Sequence, residues 1–138
     1  MNKAYFEILR AGVNTTIQDK ARNHLYHVGI AVSGAIDQRN YTLSNRFVDN
    51  QLNEPVVEFA YQGPLLKLKN GKINFAISGD ILFKIIRKNL EVEEGECYKS
   101  YILDEEDQID IISTKNSTYG YLAVNGGFDL KKTCRSYS

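Results

Sequence analysis

Residues 15–37, TTIQDKARNHLYHVGIAVSGAID, gather the side chains of this chain best suited to chemistry. Gln18, Asp19 and Arg22 offer an amide, a carboxylate and a guanidinium within five positions. A guanidinium is a planar fork that pairs bidentately with a carboxylate, whether on a substrate or on a neighbouring loop. The same spacing also allows a local Asp19–Arg22 ion pair that stiffens the loop, and exposed pairs of that kind contribute little. His24 and His27 stand three apart, but a metal needs three or four compatible ligands. Neither an HExxH pattern nor a cysteine set accompanies them, so they read as ordinary loop histidines. Ser33-Gly34 precedes Asp37, which opens a helical pattern. The free N–H groups of a helix start favour an anion or a carbonyl oxygen, and plain capping by Asp37 accounts for the pattern equally well. Further on, Ser78-Gly79-Asp80 separates two apolar runs as either a tight turn or a carboxylate at a rim. The GxSxG and Walker A patterns are absent, so no nucleophile or phosphate loop is evident.

These residues need elements to hold them. AYFEIL, residues 4–9, reads as a first strand. Residues 10–36 have no clear period and read as one long irregular region, anchored to a core by Leu25, Val28, Ile30 and Val32. DQRNYTLSNRFVDN, residues 37–50, is the best helix candidate. Asp37 is its cap, Leu43, Phe47 and Val48 form its apolar face, and Pro55 enforces its end. From Val56 the pattern becomes one of short strands: VVEFA, PLLKLK, KINFAIS, ILFKIIR, CYKSYIL, QIDIIS and YGYLAV. Asn70-Gly71 between the second and third predicts a hairpin, because both residues tolerate positive φ. The acidic stretches VEEGE and DEEDQ read as solvated turns. After Val124 no closing strand is evident, which predicts an open sheet edge. The sum is a mainly β domain, an antiparallel sheet curled into a barrel or sandwich.

The totals exclude several classes. With 138 residues the chain suits one compact domain. Lys plus Arg and Asp plus Glu both number 17, which argues against a nucleic-acid binder held by phosphate neutralisation. No run approaches the 18 or so apolar residues of a membrane helix, and the N-terminus does not read as a signal peptide. Cys97 and Cys134 suit reduced thiols in a cytoplasmic protein.

The order and spacing of TTIQDKAR, GIAVSGAID, LSNRFVDN, VVEF, QGPLLKL, FAISGD, GYLAVNGGFD and CRSYS resemble the KipA family. Its members are also described as the C subunit of 5-oxoprolinase or as allophanate hydrolase subunit 2, and it has a biotin-dependent carboxyltransferase branch. The resemblance runs from Phe6 to Ser138. Carried over by position, the family's first element falls on Thr15 to Asp19 and Arg22, with Ala21 where the family has glycine and Asn23 where it has proline. Its SGAMD element falls on Ser33, Gly34, Ala35, Ile36 and Asp37. The AGG-D element falls on Asn125, Gly126, Gly127 and Asp129, and the GSRST element on Cys134 to Ser138, including Arg135.

The resemblance implies a cyclophilin-like antiparallel β-barrel with one or two short helices. Because family members continue past the last element, it also implies that residues 1–138 form an N-terminal portion of a KipA-like carboxyltransferase domain. The implied activity is the ATP-dependent opening of 5-oxo-L-proline to L-glutamate in the bacterial cytoplasm. It would be shared with KipI-like and LamB/YcsF-like partners, the B and A subunits of such a complex, with ATP bound together with them. Asp19, Arg22 and Asp37 would then do the chemistry, while Gln18, Ser33, Gly34, Asn125, Gly126, Gly127 and Arg135 would bind the substrate; no metal is implied. Two alternatives stay open. One is a biotin-dependent carboxyltransferase lobe of the urea carboxylase and allophanate pathway. The other is a non-catalytic KipI-binding regulator of a sensor kinase.

Overall fold

A computed structural model describes residues 4–10, 16–18, 25–26, 30–33, 38–50, 54, 56–116, 119–126 and 134–136. Their strands are β1 (Tyr5–Arg10), β2 (Thr16–Gln18), β3 (Leu25–Tyr26), β4 (Ile30–Ser33), β5 (Val56–Ala60), β6 (Leu65–Lys69), β7 (Ile73–Ser78), β8 (Ile81–Ile86), β9 (Val92–Glu94), β10 (Ser100–Leu103), β11 (Gln108–Thr114), β12 (Tyr119–Val124) and β13 (Cys134–Ser136), with helix α1 (Gln38–Phe47) between β4 and β5. They form two sheets, ordered β13-β1-β6-β11-β8-β9 and β10-β7-β12-β5-β2-β4-β3. The expected mainly β, largely antiparallel fold with a helix stands. The described strands pair as two facing sheets.

Period-two patterning explains the core. In β6 the alternation LLKLK turns Leu66 and Leu68 inward and Lys67 and Lys69 toward solvent. Ile81, Phe83 and Ile85 of β8 and Ile109 and Ile111 of β11 join them. The facing sheet supplies Val57, Phe59, Phe75, Ile77, Leu122 and Val124. Phe75, Phe83 and Tyr101 form an aromatic cluster, with Phe75 and Tyr101 stacked at 5.7 Å and each of them edge-on to Phe83. Each such pair adds about 0.5–1.5 kcal/mol beyond its area. Strand β5 is buried at all five positions, because both of its faces are covered. Val57 and Phe59 face the other sheet, while Val56 packs with Tyr41 and Val48 of the α1 segment and with Ala76, Tyr121 and Ala123.

Several expectations are corrected. The irregular stretch 10–36 contains β2, β3 and β4, which are too short to show a period and are specified by pairing outward from β5. Asn70 and Gly71 do take positive φ, 64° and 142°, yet no hairpin forms. β6 pairs with β1 and β11, β7 pairs with β10 and β12, and the turn crosses between sheets. VEEGE supplies the exposed edge strand β9. In DEEDQ, Asp107 is buried, with its carboxylate accepting from Arg87 Nη1 at 3.0 Å, Lys88 N at 2.8 Å and Asp104 N at 2.9 Å. The C-terminal segment does pair. Cys134–Ser136 adds a parallel strand to β1, three residues that carry no strand signature of their own.

The helix buries another face than expected. Tyr41, Ser44, Asn45 and Val48 point into the protein, Leu43 is half-buried and Phe47 is exposed. The polar residues inside find partners at once. Ser44 Oγ donates to Tyr41 O, and Asn45 Nδ2 donates to Glu54 O at 2.9 Å. The helix ends in a Schellman arrangement, with Asn50 N donating to Asn45 O, Asp49 N to Arg46 O, and Asp49 at φ 59°. The capping role expected of Asp37 lies outside the described residues.

Candidate functional site

The seven-stranded sheet brings to one end several chain segments that are distant in sequence. Gln18, the last residue of β2, stands opposite both Ser33, the last residue of β4, and Val56, the first of β5. β12 runs antiparallel to β5, with Leu122 opposite Val57, so Val124 and the following Asn125-Gly126 leave the sheet at that same end. Gln18, Ser33, Asn125 and Gly126 therefore share a sheet end across the ladder β12-β5-β2-β4. Arg135 does not join them. It lies in the other sheet, opposite Glu7 of β1. Asp19, Arg22, Gly34, Asp37 and Gly127 lie outside the described residues, as do His24 and His27.

An asparagine clasp fixes the β12 end. Asn50 Nδ2 donates to Val124 O at 2.7 Å and to Asn45 Oδ1 at 3.0 Å, while its Oδ1 accepts from Gly126 N at 2.7 Å. In the reverse direction, Asn125 Nδ2 donates to Val48 O at 2.6 Å, and Asn125 N donates to Asn74 O at 2.9 Å. Gly126 takes a φ of 88°, and among the described residues nothing lies within 4 Å of where a Cβ would stand. The backbone there is thus open on its outer side and held from behind. That is the geometry by which a main chain approaches a small ligand closely.

Two further groups lie beneath the helix. Glu58 is buried in the middle of β5, between Thr16 of β2 and Tyr121 of β12 in the register, and Tyr121 Oη donates to its carboxylate. Tyr121 meets Tyr41 edge-on at 6.5 Å. Neither the clasp nor the Glu58–Tyr121 pair was singled out by residue type. Asn50 looks like a helix-end asparagine, and the β-strand pattern around Glu58 marks only burial. The Ser78-Gly79-Asp80 segment is a tight turn. Gly79 has φ 114°, a Cβ there would meet Tyr119 O at 2.9 Å, and Asp80 accepts from the Asn116 side chain at 2.8 Å. Cys97 is a free thiol pushed above its ordinary pKa by burial, so it is not a poised nucleophile. No group of three His, Cys, Asp or Glu able to hold a metal occurs among the described residues. No helix among them is long and apolar enough to cross a membrane.

A family model described as carboxyltransferase domain, subdomain A and B, matches residues 28–138, and the chain belongs to this family. It is 29% identical to the 5-oxoprolinase C subunit of Haemophilus influenzae over 132 residues, covering 96% of this chain and 41% of that protein. It is 27% identical to urea amidolyase of Saccharomyces cerevisiae over 133 residues, covering 96% of this chain and 7% of that protein. The crystal structure of the Kluyveromyces lactis urea amidolyase superposes with a TM-score of 0.74 at 25% identity, over 90% of this chain and 7% of the other. The chain thus spans well under half the length of the curated relatives it matches.

Proposed function

We propose that this chain is part of a subunit of an ATP-dependent 5-oxoprolinase complex, which opens 5-oxo-L-proline to L-glutamate. The observation that carries this reading is the convergence of Gln18, Ser33, Asn125 and Gly126 at one sheet end, in a chain similar over nearly its whole length to two proteins named as the C subunit of 5-oxoprolinase. Opening a lactam requires an activated carbonyl, water to add to its carbon, and a proton for the departing nitrogen. ATP bound with companion subunits of the KipI-like and LamB/YcsF-like kinds would phosphorylate the lactam oxygen. Arg22 would pair with the substrate carboxylate, and Asp19 and Asp37 would hold protons and orient the ring. Gln18, Ser33, the exposed backbone around Gly126 and the neighbouring Gly34 and Gly127 would line the cleft. Arg135, in the other sheet, would act from across it. The setting for this activity is the cytoplasm.

A second reading, favoured by the family description and by the similarity to urea amidolyase, is a carboxyltransferase lobe that takes a carboxyl group from biotin. The test is co-expression of the full-length protein with both companion subunits, followed by an assay of glutamate release from 5-oxoproline with ATP. Release that depends on Arg22 supports the first reading. A complete complex that releases no glutamate, and in which Arg22→Ala changes only the affinity for the companions, sinks it.

A further inference from the structure

Helix α1 carries an outward stripe that no other described element covers. Arg39, Leu43 and Phe47 succeed one another at four-residue spacing on that side, with Arg46 alongside. Across from them stands Tyr98, in the segment between β9 and β10. Its ring lies 6.1 Å from that of Phe47. Arg39, Asn40, Leu43, Phe47 and Tyr98 line a groove of about 440 Å³. Register places Ile102 of the edge strand β10 opposite Asn74, on the helix side of the sheet. Phe47, Tyr98 and Ile102 are 40%, 41% and 54% exposed.

Two features set this surface apart from scattered exposed apolar residues. First, it is rigid. Tyr98 Oη donates to Asn40 Oδ1 at 2.7 Å and accepts from Gly79 N at 3.0 Å, its backbone N donates to Ile77 O at 2.8 Å, and its φ is 60°. A ring held at both ends with its face open is an anchor that loses little entropy on binding. Second, its charge has no partner among the described residues. Arg10 meets Asp110 and Arg87 meets Glu93 and Asp107. Among the described residues, Arg39 and Arg46 have no ion-pair partner and no carboxylate lines the groove. Seven residues apart on a helix, the two arginines have Cα atoms about 10 Å from each other along the axis. An open, half-exposed groove flanked by two such charges suits an extended surface better than a small ligand, whose sites enclose most of its area.

We propose that this stripe is a docking surface for a polypeptide segment of a companion subunit, one that presents apolar side chains to Leu43, Phe47 and Tyr98 and carboxylates to Arg39 and Arg46. Aromatic residues and arginine are the types that dominate such interfaces. In taking the partner to be a companion subunit, the inference rests on the reading above. The probes are the two companion subunits, each titrated separately against the full-length protein, its R39E/R46E variant and its F47A variant. Melting midpoints of the variants serve as a check on folding. The expected result is a Kd weakened about tenfold or more for one companion in both variants, with unchanged midpoints, and a wild-type affinity that falls as salt rises. Affinity unchanged in both variants overturns the inference, as does a wild-type chain that binds neither companion. It is also overturned if the wild type is a dimer by sedimentation and R39E/R46E is a monomer, since a second copy then covers the face. If the variants bind normally and the complex releases glutamate, the docking surface is wrong and the functional reading stands. If binding depends on the stripe and no glutamate is released, the reverse holds.

Discussion

Replacing Asn50 by alanine isolates the clasp that holds the end of β12. The side chain makes three hydrogen bonds, two as donor to Val124 O and Asn45 Oδ1 and one as acceptor from Gly126 N, at 2.7–3.0 Å. At about 1 kcal/mol net each the loss is about 3 kcal/mol, and water entering a half-exposed site restores part of it. The expected cost is therefore about 2 kcal/mol, read as a lower denaturation midpoint in urea with an unchanged slope. The effect should also be local. Amide exchange at Gly126 should quicken in the variant under native conditions, whereas amides of Leu66, Phe83 and Ile109 in the core should change only with global stability. Asn50→Asp retains an acceptor for Gly126 N but turns carboxylate oxygen toward Val124 O and Asn45 Oδ1, so at neutral pH it should cost at least as much as alanine. A cost below about 0.5 kcal/mol for Asn50→Ala, with Gly126 exchange unchanged, would show that the clasp does not hold the turn.

Three other outcomes follow from the packing. Asp49→Gly should stabilise the chain by about 0.5–1 kcal/mol in thermal or urea melts. Asp49 sits exposed at φ 59°, and its charge is at the unfavourable end of the helix dipole. Gly120→Ala should destabilise by about 1–3 kcal/mol in the same melts, because the new methyl would lie 2.5–2.6 Å from Ile81 Cδ1 and the Phe59 ring in a closed core. The Glu106 carboxyl is held below its ordinary pKa, chiefly by its hydrogen bond from Lys69 at 2.8 Å. Its contribution is therefore complete above the ordinary carboxylate value near about 4.3 and is lost as pH falls through the lower folded value. The difference in urea midpoint between wild type and Lys69→Met should accordingly be present at pH 7 and vanish in acid.

Much of the candidate site was legible in residue types but not in space. Gln18 and Ser33 could be named by residue type, whereas Asn125 and Gly126 were named as substrate-binding through the family resemblance. That they share one sheet end was not legible, because β2 and β4 have three and four residues and are ordered by pairing through β5. The clasp escaped notice for a related reason. Asn50 and Val124 are 74 residues apart, and no local pattern signals a hydrogen bond across that interval. Leu43 and Phe47 misled because helical spacing defines a stripe without saying which of two stripes meets the sheet. Ser44 and Asn45 could be buried because Tyr41 O and Glu54 O were there to receive them.

The amino-acid sequence by itself determined where most strands between Val56 and Val124 lie, β9 excepted, where α1 lies, and where the backbone must take positive φ at Asn70 and Gly71. Each of these is set by side-chain period or by local steric preference. The tertiary structure decided which strands pair. The Asn70-Gly71 turn reverses the chain as its residues require, yet it sends β6 and β7 into different sheets. Turn chemistry acts over four residues, whereas the choice of partner depends on which faces can be buried together, and only the packed molecule settles that.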